Sequence, residues 1–304
     1  MPSGEKNFTL VKPRDLTIDI PGHRLAAQVW HEGVEGPTFL AFHGWLDSSA
    51  SFEALAPTLT GARIVAVDLP GHGHSSHKAA GASYHFVDAV ADALAVANAL
   101  DLERFGLIGH SMGAGISTLI AGLVPTRVLS VGLVEGLGPL TDRDANAPTR
   151  LAASLEAQGR ASRDRRRTFA SVEEAAARLE LAQGISAPSA LRLAHRATEP
   201  HLDGLRWRAD PRLRIASRIR FTEAQVHAFL EAITAPVTLI RATEGFAFDH
   251  AQMSARIERV ARMDLVEVAG GHHVHLDHPD RVQGSIQRVI AQAQAAARGT
   301  GDEA

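Results

Sequence analysis

The chemistry of this chain is concentrated in five residues, Gly109-His110-Ser111-Met112-Gly113, set between the apolar run Phe105–Ile108 and the small residues Ala114-Gly115. The run reads as a buried strand, the pentapeptide as a sharp turn, and the residues after it as a helix. A serine at such a junction must adopt a strained backbone to project its hydroxyl from the sheet edge. The residues two before and two after it then lie so close to neighbouring backbone that side chains hardly fit. The helix opening at Met112 adds free amides and a positive dipole end beside the serine. A glycine-rich turn with a serine cap has the same local look. The motif therefore has to be judged by its partners.

A serine hydroxyl is a poor nucleophile until a base takes its proton, and the base needs an acid to orient it. His272 directly follows Gly270-Gly271 at the end of the last apolar run, which selects it as the base over His273 and His275. A developing oxyanion needs two amides. Met112, next after the serine, supplies one, and Trp45, after His43-Gly44, is the natural donor of the other. Each such donor typically contributes about 3 kcal/mol to the transition state. His43, Gly44 and His110 are read as support for this pocket, and Asp68 as the cap of a loop beneath it. The histidine-rich tracts around His72 and His272 could suggest a metal. Zinc, however, wants three or four converging ligands with ordered partners. One catalytic histidine with polar neighbours is the simpler reading, so neither metal nor cofactor is expected.

The elements that must hold these groups can be traced along the chain. Leu16–Ile20 and Arg24–Trp30 read as strands around the turn Pro21-Gly22. Thr38–Phe42, Arg63–Val67 and Arg127–Val134 are short apolar strands, Ser51–Leu59 fits a helix, and Tyr84–Leu100 has helical period. Alternation of strands and helices argues a parallel sheet covered on both faces. From about Thr141 to Ile233 strand-like runs vanish, and helical stretches are expected near Ser171–Gln183 and Thr222–Ile233. This segment holds 16 arginines against 12 acidic residues, a net of +4 that leaves −7 for the remainder. Such arginines could favour an anionic substrate, although a solvated helix face is the commoner use. The alternation returns with Pro236–Ile240, a helix near Asp249–Ala261, the strand Asp264–Ala269 and a helix from Asp280 to about Ala297. A frayed tail, Arg298–Ala304, is expected at the end.

The 304 residues, 45% of them hydrophobic, allow one large α/β domain with an insertion. The net charge of −3 gives no reason to invoke nucleic acid or membrane. Cysteine is absent, which excludes thiolate chemistry and disulfides. The polar start lacks an apolar signal segment, and no run reaches the roughly 20 apolar residues of a membrane span. A soluble, cytoplasmic protein acting on a small molecule is expected. The sequence carries no mark of an oligomeric state.

Four motifs in order give the chain a family resemblance: HGWLDSSASF, DLPGHGHS, GHSMGAG and GGHHVHLDHPD. From about Leu16 to Ala297 the chain resembles the α/β-hydrolase fold. The segments VEGLGPL and WRADPRL are most similar to those of the serine hydrolase-like proteins. The resemblance implies a mostly parallel eight-stranded sheet with helices on both faces, formed by residues 1–140 and 234–304, and a helical lid over residues 141–233. It also separates this chain from relatives. Dehalogenases and epoxide hydrolases carry an aspartate where Ser111 stands, and epoxide hydrolases need lid tyrosines, whereas Tyr84 is the only tyrosine here. Carbon–carbon bond hydrolases usually carry asparagine at the place of His110.

The acid is where the family pattern breaks. Most members carry it after the strand that here is Val237–Ile240, but Arg241-Ala242-Thr243-Glu244-Gly245-Phe246 lacks the usual aspartate, and Gly245 falls where it would stand. Some haloalkane dehalogenases place the acid one strand earlier, which corresponds to Glu135. A carboxylate at a buried strand end is costly without a partner. Glu135 is therefore the favoured acid, Glu244 the alternative, and Asp249 the third choice. The reaction implied is carboxylic ester hydrolysis through an acyl-enzyme. The same triad would also serve amides, thioesters, lactones or perhydrolysis, because these differ in pocket shape. A lidded ligand-binding protein without turnover is the rival of a different class. Its mark would be loss of a triad member, and Ser111 and His272 are both present.

Overall fold

Apolar runs of five to seven residues become strands because only pairing satisfies their buried backbone groups. The computed structural model describes residues 12–160, 168–202 and 204–299, so most of the expected C-terminal tail lies outside the described residues. Strands β1 (Arg14–Ile20) and β2 (His23–Trp30) form the expected hairpin, followed by β3 (Thr38–Phe42) and β4 (Arg63–Val67). Helix α1 (Phe86–Ala99) leads to β5 (Phe105–His110), then α2 (Met112–Leu123) and β6 (Val128–Val134). After an intervening segment come β10 (Val237–Glu244), α7 (His250–Ile257), β11 (Met263–Gly271), α8 (Val274–Asp277) and α9 (Pro279–Arg298).

The segment between β6 and β10 contains α3 (Ala147–Arg160), β7 (Thr168–Phe169), α4 (Val172–Gln183), α5 (Ala187–Ala197), β8 (Thr198–His201), β9 (Gly204–Trp207) and α6 (Glu223–Glu231). The main sheet has eight strands in the order β1-β2-β4-β3-β5-β6-β10-β11, parallel from β4 onward. Every residue of β5 and β6 is buried, which is why neither shows an alternating pattern. Successive residues serve opposite faces. Leu107 packs with α1 and α2, whereas Ile108 packs with the α9 residues Val282 and Ile286.

Two sequence expectations are corrected. Residues 51–59 form two short 3₁₀ turns, Ser49–Phe52 and Ala56–Thr58, because Pro57 interrupts the backbone pattern of a continuous helix. The segment 141–233 also contains strands: β7, β9 and β8 pair into a small antiparallel sheet. These strands are two to four residues long and one contains Pro200, too little for a periodic signal.

Several polar contacts fix the segment to the rest of the chain, three of them as follows. Arg196 of α5 is buried, and its Nε lies 2.9 Å from Asp68 Oδ2. Arg256 of α7 reaches Glu223 of α6 at 2.5 Å and the carbonyl oxygens of Leu137 and Pro139. The Tyr84 hydroxyl donates to Asp210, 2.8 Å away. Among the described residues no helix is long and apolar enough to cross a membrane.

Candidate active site

Strand β5 ends at His110, and Ser111 turns the chain into α2 with φ 51° and ψ −111°. A positive φ at a residue with a side chain costs of order 1–3 kcal/mol and persists only where its surroundings impose it. Those surroundings are visible in the two flanking glycines. A Cβ on Gly109 would lie 2.6 Å from Ala114 Cα, and one on Gly113 would collide with the Phe42 carbonyl and sit 2.9 Å from that of His43. The turn is thus wedged between α2 and the end of β3. Met112 heads the helix, so its amide has no intrahelical acceptor. Trp45, after His43-Gly44, lines the same cavity as Ser111, Met112 and His272. Neither the Trp45 nor the Met112 amide donates to a protein acceptor among the described residues.

His272 stands at the end of β11, and its Nδ1 lies 3.2 Å from Glu135 Oε2. Glu135 is 1% exposed, at the end of β6, and has a positive φ of its own, 56°. Three donors converge on its carboxylate. Besides His272, the Ala242 amide gives 2.6 Å to Oε1 and the Phe246 amide 2.7 Å to Oε2. Burial works against its charge, but the hydrogen bonds from His272 and the two amides outweigh it and hold the carboxyl below its ordinary range.

The structure also explains the missing family aspartate. A Cβ on Gly245 would fall 2.6 Å from Glu135 Oε1 and nearer still to Oε2 and Cδ. The Glu135 carboxyl occupies the space where a side chain at position 245 would begin. Glu244, the alternative acid, is exposed at the end of β10, and Asp249 caps α7 by accepting from the Gln252 amide at 2.8 Å.

The histidines around the turn are structural and buried. His43 Nε2 accepts from the Leu69 amide at 3.1 Å, so its proton is on Nδ1, which donates to the Gly44 carbonyl at 2.7 Å. That bond orients the loop bearing Trp45. His110 donates from Nε2 to the His272 carbonyl at 2.9 Å, tying the turn to the β11 loop. Burial pushes the imidazole of His110 down to about 4 and that of His72 to about 3, so both stay neutral. Asp68 caps its loop as expected, accepting from the Ser49 and His74 amides, and also pairs with Arg196.

Asp47 is a site residue that sequence reasoning does not single out. It is buried and lies 3.1 Å from His273 Nε2, an ion pair in which burial would suppress both charges but mutual attraction raises the histidine and lowers the carboxyl. Among the described residues, Asp47, His110 and His273 also form a group whose spacing could admit a metal, one donor atom each within 4.8 Å of the others. Donors at about 2.1 Å around one zinc lie roughly 3.4 Å apart, so the triangle would have to contract. The Asp47–His273 pair accounts for the buried charge without an ion. No signal in the sequence beyond the HGWLD string marks Asp47, because its partner is 226 residues away.

A cavity of about 1240 Å³ opens over Ser111 and His272. Its walls are largely apolar and come from both parts of the chain: Trp45, Phe86 and Phe246 from one, Leu179, Trp207 and Leu213 from the segment between β6 and β10. The Trp45 indole donates to the Leu213 carbonyl at 3.0 Å, joining the two walls. Trp45 and Phe246 are each about half exposed, apolar surface that faces empty space rather than packed core.

The α/β-hydrolase fold family model matches residues 37–279. A serine hydrolase-like protein of Danio rerio is 32% identical over 297 residues, covering 92% of this chain and 90% of that protein. A probable serine hydrolase of Drosophila melanogaster is 30% identical over 292 residues, 92% of this chain and 88% of its own length. Among solved structures, a hypothetical protein from Pseudomonas aeruginosa PAO1 superposes with a TM-score of 0.84 at 39% identity, covering 94% of this chain and 99% of that one. A thioesterase domain from the curacin biosynthetic pathway does so with a TM-score of 0.80 at 28% identity, covering 92% and 99%.

Proposed function

The chain belongs to the α/β-hydrolase fold family and is a hydrolase, similar along most of its length to serine hydrolase-like proteins; from that premise we propose that it is a serine hydrolase acting on carboxylic esters. The observation that carries this reading is the pairing of buried Glu135 with half-buried His272 at 3.2 Å, in the lining of one cavity with a serine of positive φ. Glu135 fixes the imidazole with its proton on Nδ1, leaving Nε2 free to accept. Ser111 Oγ attacks the ester carbonyl carbon as His272 takes the hydroxyl proton. The carbonyl oxygen becomes an oxyanion held by the Met112 and Trp45 amides. The intermediate collapses when His272 returns the proton to the leaving alkoxide, giving an alcohol and an acyl-serine. Water, deprotonated by His272, then repeats the sequence and releases the acid. Removing a triad nucleophile costs of order 10⁴–10⁶ in rate.

Residues 141–233 are proposed to act as a lid that sets substrate size, since their side chains form one wall of the cavity over Ser111. Thioester hydrolysis is the second reading, favoured by the likeness to the thioesterase domain. The test is a fluorophosphonate probe on the purified protein, followed by a series of aryl esters and thioesters of increasing acyl length. The reading requires covalent label on Ser111 and loss of label and turnover in Ser111→Ala, with circular dichroism unchanged. Label on another serine, or undiminished turnover in the variant, refutes it.

A further inference from the structure

The cavity has a charge that ester hydrolysis alone does not call for. Four arginines of the segment between β6 and β10 line it: Arg178 on α4, Arg214 in the short 3₁₀ turn Pro211–Arg214, and Arg218 and Arg220 just beyond. Arg178, Arg214 and Arg220 form no hydrogen bond or ion pair with a carboxylate among the described residues. Arg218 bonds to Ser83 and Gln158, both neutral. A fifth lining arginine, Arg256, is taken up by Glu223. The acidic residues in the lining are Asp47 and Glu135, and each is already committed to a histidine.

Arg220 is the most telling of the four. It is half-buried, desolvation pushes its guanidinium down, and the neighbouring charge of Arg150 does the same. The carboxylate it feels, Asp142, is occupied by Arg150 and Asn146. A partly desolvated guanidinium with no counter-ion is costly, and guanidinium is the group that binds carboxylate and phosphate by paired hydrogen bonds. Arg214 lies 5.8 Å over the ring of Trp45, which places a second cation close to the loop bearing the proposed oxyanion donor. Arg178 and Arg214 are exposed and Arg220 is half-buried, and all three line the same open, largely apolar cavity as Ser111.

We propose that this cavity takes an ester or thioester bearing an anionic group, a carboxylate or a phosphate, held by Arg220 with Arg178 and Arg214 while its apolar part lies against Trp45, Phe246 and Leu213. The proposal rests on Ser111 as nucleophile and adds the class of substrate. A carboxylate would sit at the far end of the acyl chain, whereas a phosphate would belong to a nucleotide-like leaving group.

Matched pairs separate the two sources. Mono-4-nitrophenyl glutarate is compared with 4-nitrophenyl valerate, and butyryl coenzyme A with S-butyryl-N-acetylcysteamine. At least one anionic partner is expected to exceed its neutral counterpart in kcat/KM by about tenfold, the scale of one well-placed charge pair. The ratio should fall toward one in Arg220→Met and in 0.5 M sodium chloride, which screens the attraction. Preference in the first pair assigns a carboxylate on the acyl chain; preference in the second assigns a phosphate on the leaving group. The same ratios are read as Kd on Ser111→Ala protein, so that the charge preference is measured even where turnover is absent. Arg214→Met serves in place of Arg220→Met if the latter does not fold. Equal values in both pairs, or a preference that survives both high salt and the arginine substitution, overturns the proposal. Failure of Ser111 to label, with anion preference intact in the Kd ratios, would instead overturn the nucleophile and leave the anion site standing.

Discussion

Replacing Gly245 by alanine adds one methyl group and strikes the proposed catalytic acid without changing any titratable residue. The new Cβ would stand 2.6 Å from Glu135 Oε1 and closer to the other two carboxyl atoms, where ordinary contact begins at 3.4 Å. The carboxyl must therefore retreat by about 1 Å or more, because the Cβ is fixed to backbone and cannot yield. Such a shift breaks the 2.6 and 2.7 Å bonds from the Ala242 and Phe246 amides and the 3.2 Å bond from His272. Hydrogen bonds to a charged group are worth about 1.5–3 kcal/mol each. In the serine protease triad, losing the correctly placed acid costs about 10⁴ in kcat. At 1.36 kcal/mol per decade, a loss of 10² to 10⁴ in kcat corresponds to about 3–5 kcal/mol of transition-state stabilisation. The assay is steady-state hydrolysis of a 4-nitrophenyl ester by Gly245→Ala, Glu135→Gln and Gly284→Ala. Gly284 lies in α9 with nothing within 4 Å of its built Cβ, so that variant should keep full activity. Gly245→Ala and Glu135→Gln are expected to fall together. A folded Gly245→Ala enzyme within threefold of the parent kcat would refute Glu135 as the acid and reopen the case for Glu244.

Two further outcomes concern stability. His72 and His110 are held neutral, with folded values near 3 and 4 against 6.5 when free, so the unfolded chain binds their protons first as pH falls. Stability is then lost from about pH 6.5 downward, by about 2 kcal/mol per histidine at pH 5; a urea midpoint unchanged between pH 8 and pH 5 would contradict this. Arg196→Met leaves Asp68 buried without its cation, 2.9 Å from where Nε was. Breaking one half of a buried pair costs about 3–5 kcal/mol, and the thermal midpoint should drop accordingly. An undisturbed midpoint would mean that water or the Ser49 and His74 amides satisfy Asp68 alone.

Much of this protein is legible in its sequence because the relevant physics is local. The strained turn at Ser111 needs glycines two residues away on either side, and that spacing is written in the chain whatever the rest of the fold does. Buried strands need continuous apolar runs, so β3 to β6 and β10 can be read with only their ends displaced, and the half-exposed edge strand β11 is read from its Leu-Val-Glu-Val run. The position of His272 is marked by a glycine pair at a strand end. The features that the sequence hides depend on contacts between distant residues. Glu135 can be preferred over Glu244 in the sequence, but the reason Gly245 is glycine is a carboxyl arriving from 110 positions earlier in the chain, which only the packing of β6 against β10 brings there. Asp47 gains its role from His273 across 226 residues, and Arg196 gains its own from Asp68 across 128. The small sheet of β7, β8 and β9 is invisible in the sequence because pairing, not side-chain periodicity, holds strands that short. The arginines of residues 141–233 can be counted in the sequence. Whether they face solvent or the cavity is decided by how that segment packs against the rest of the chain, through Arg196, Asp210 and Glu223.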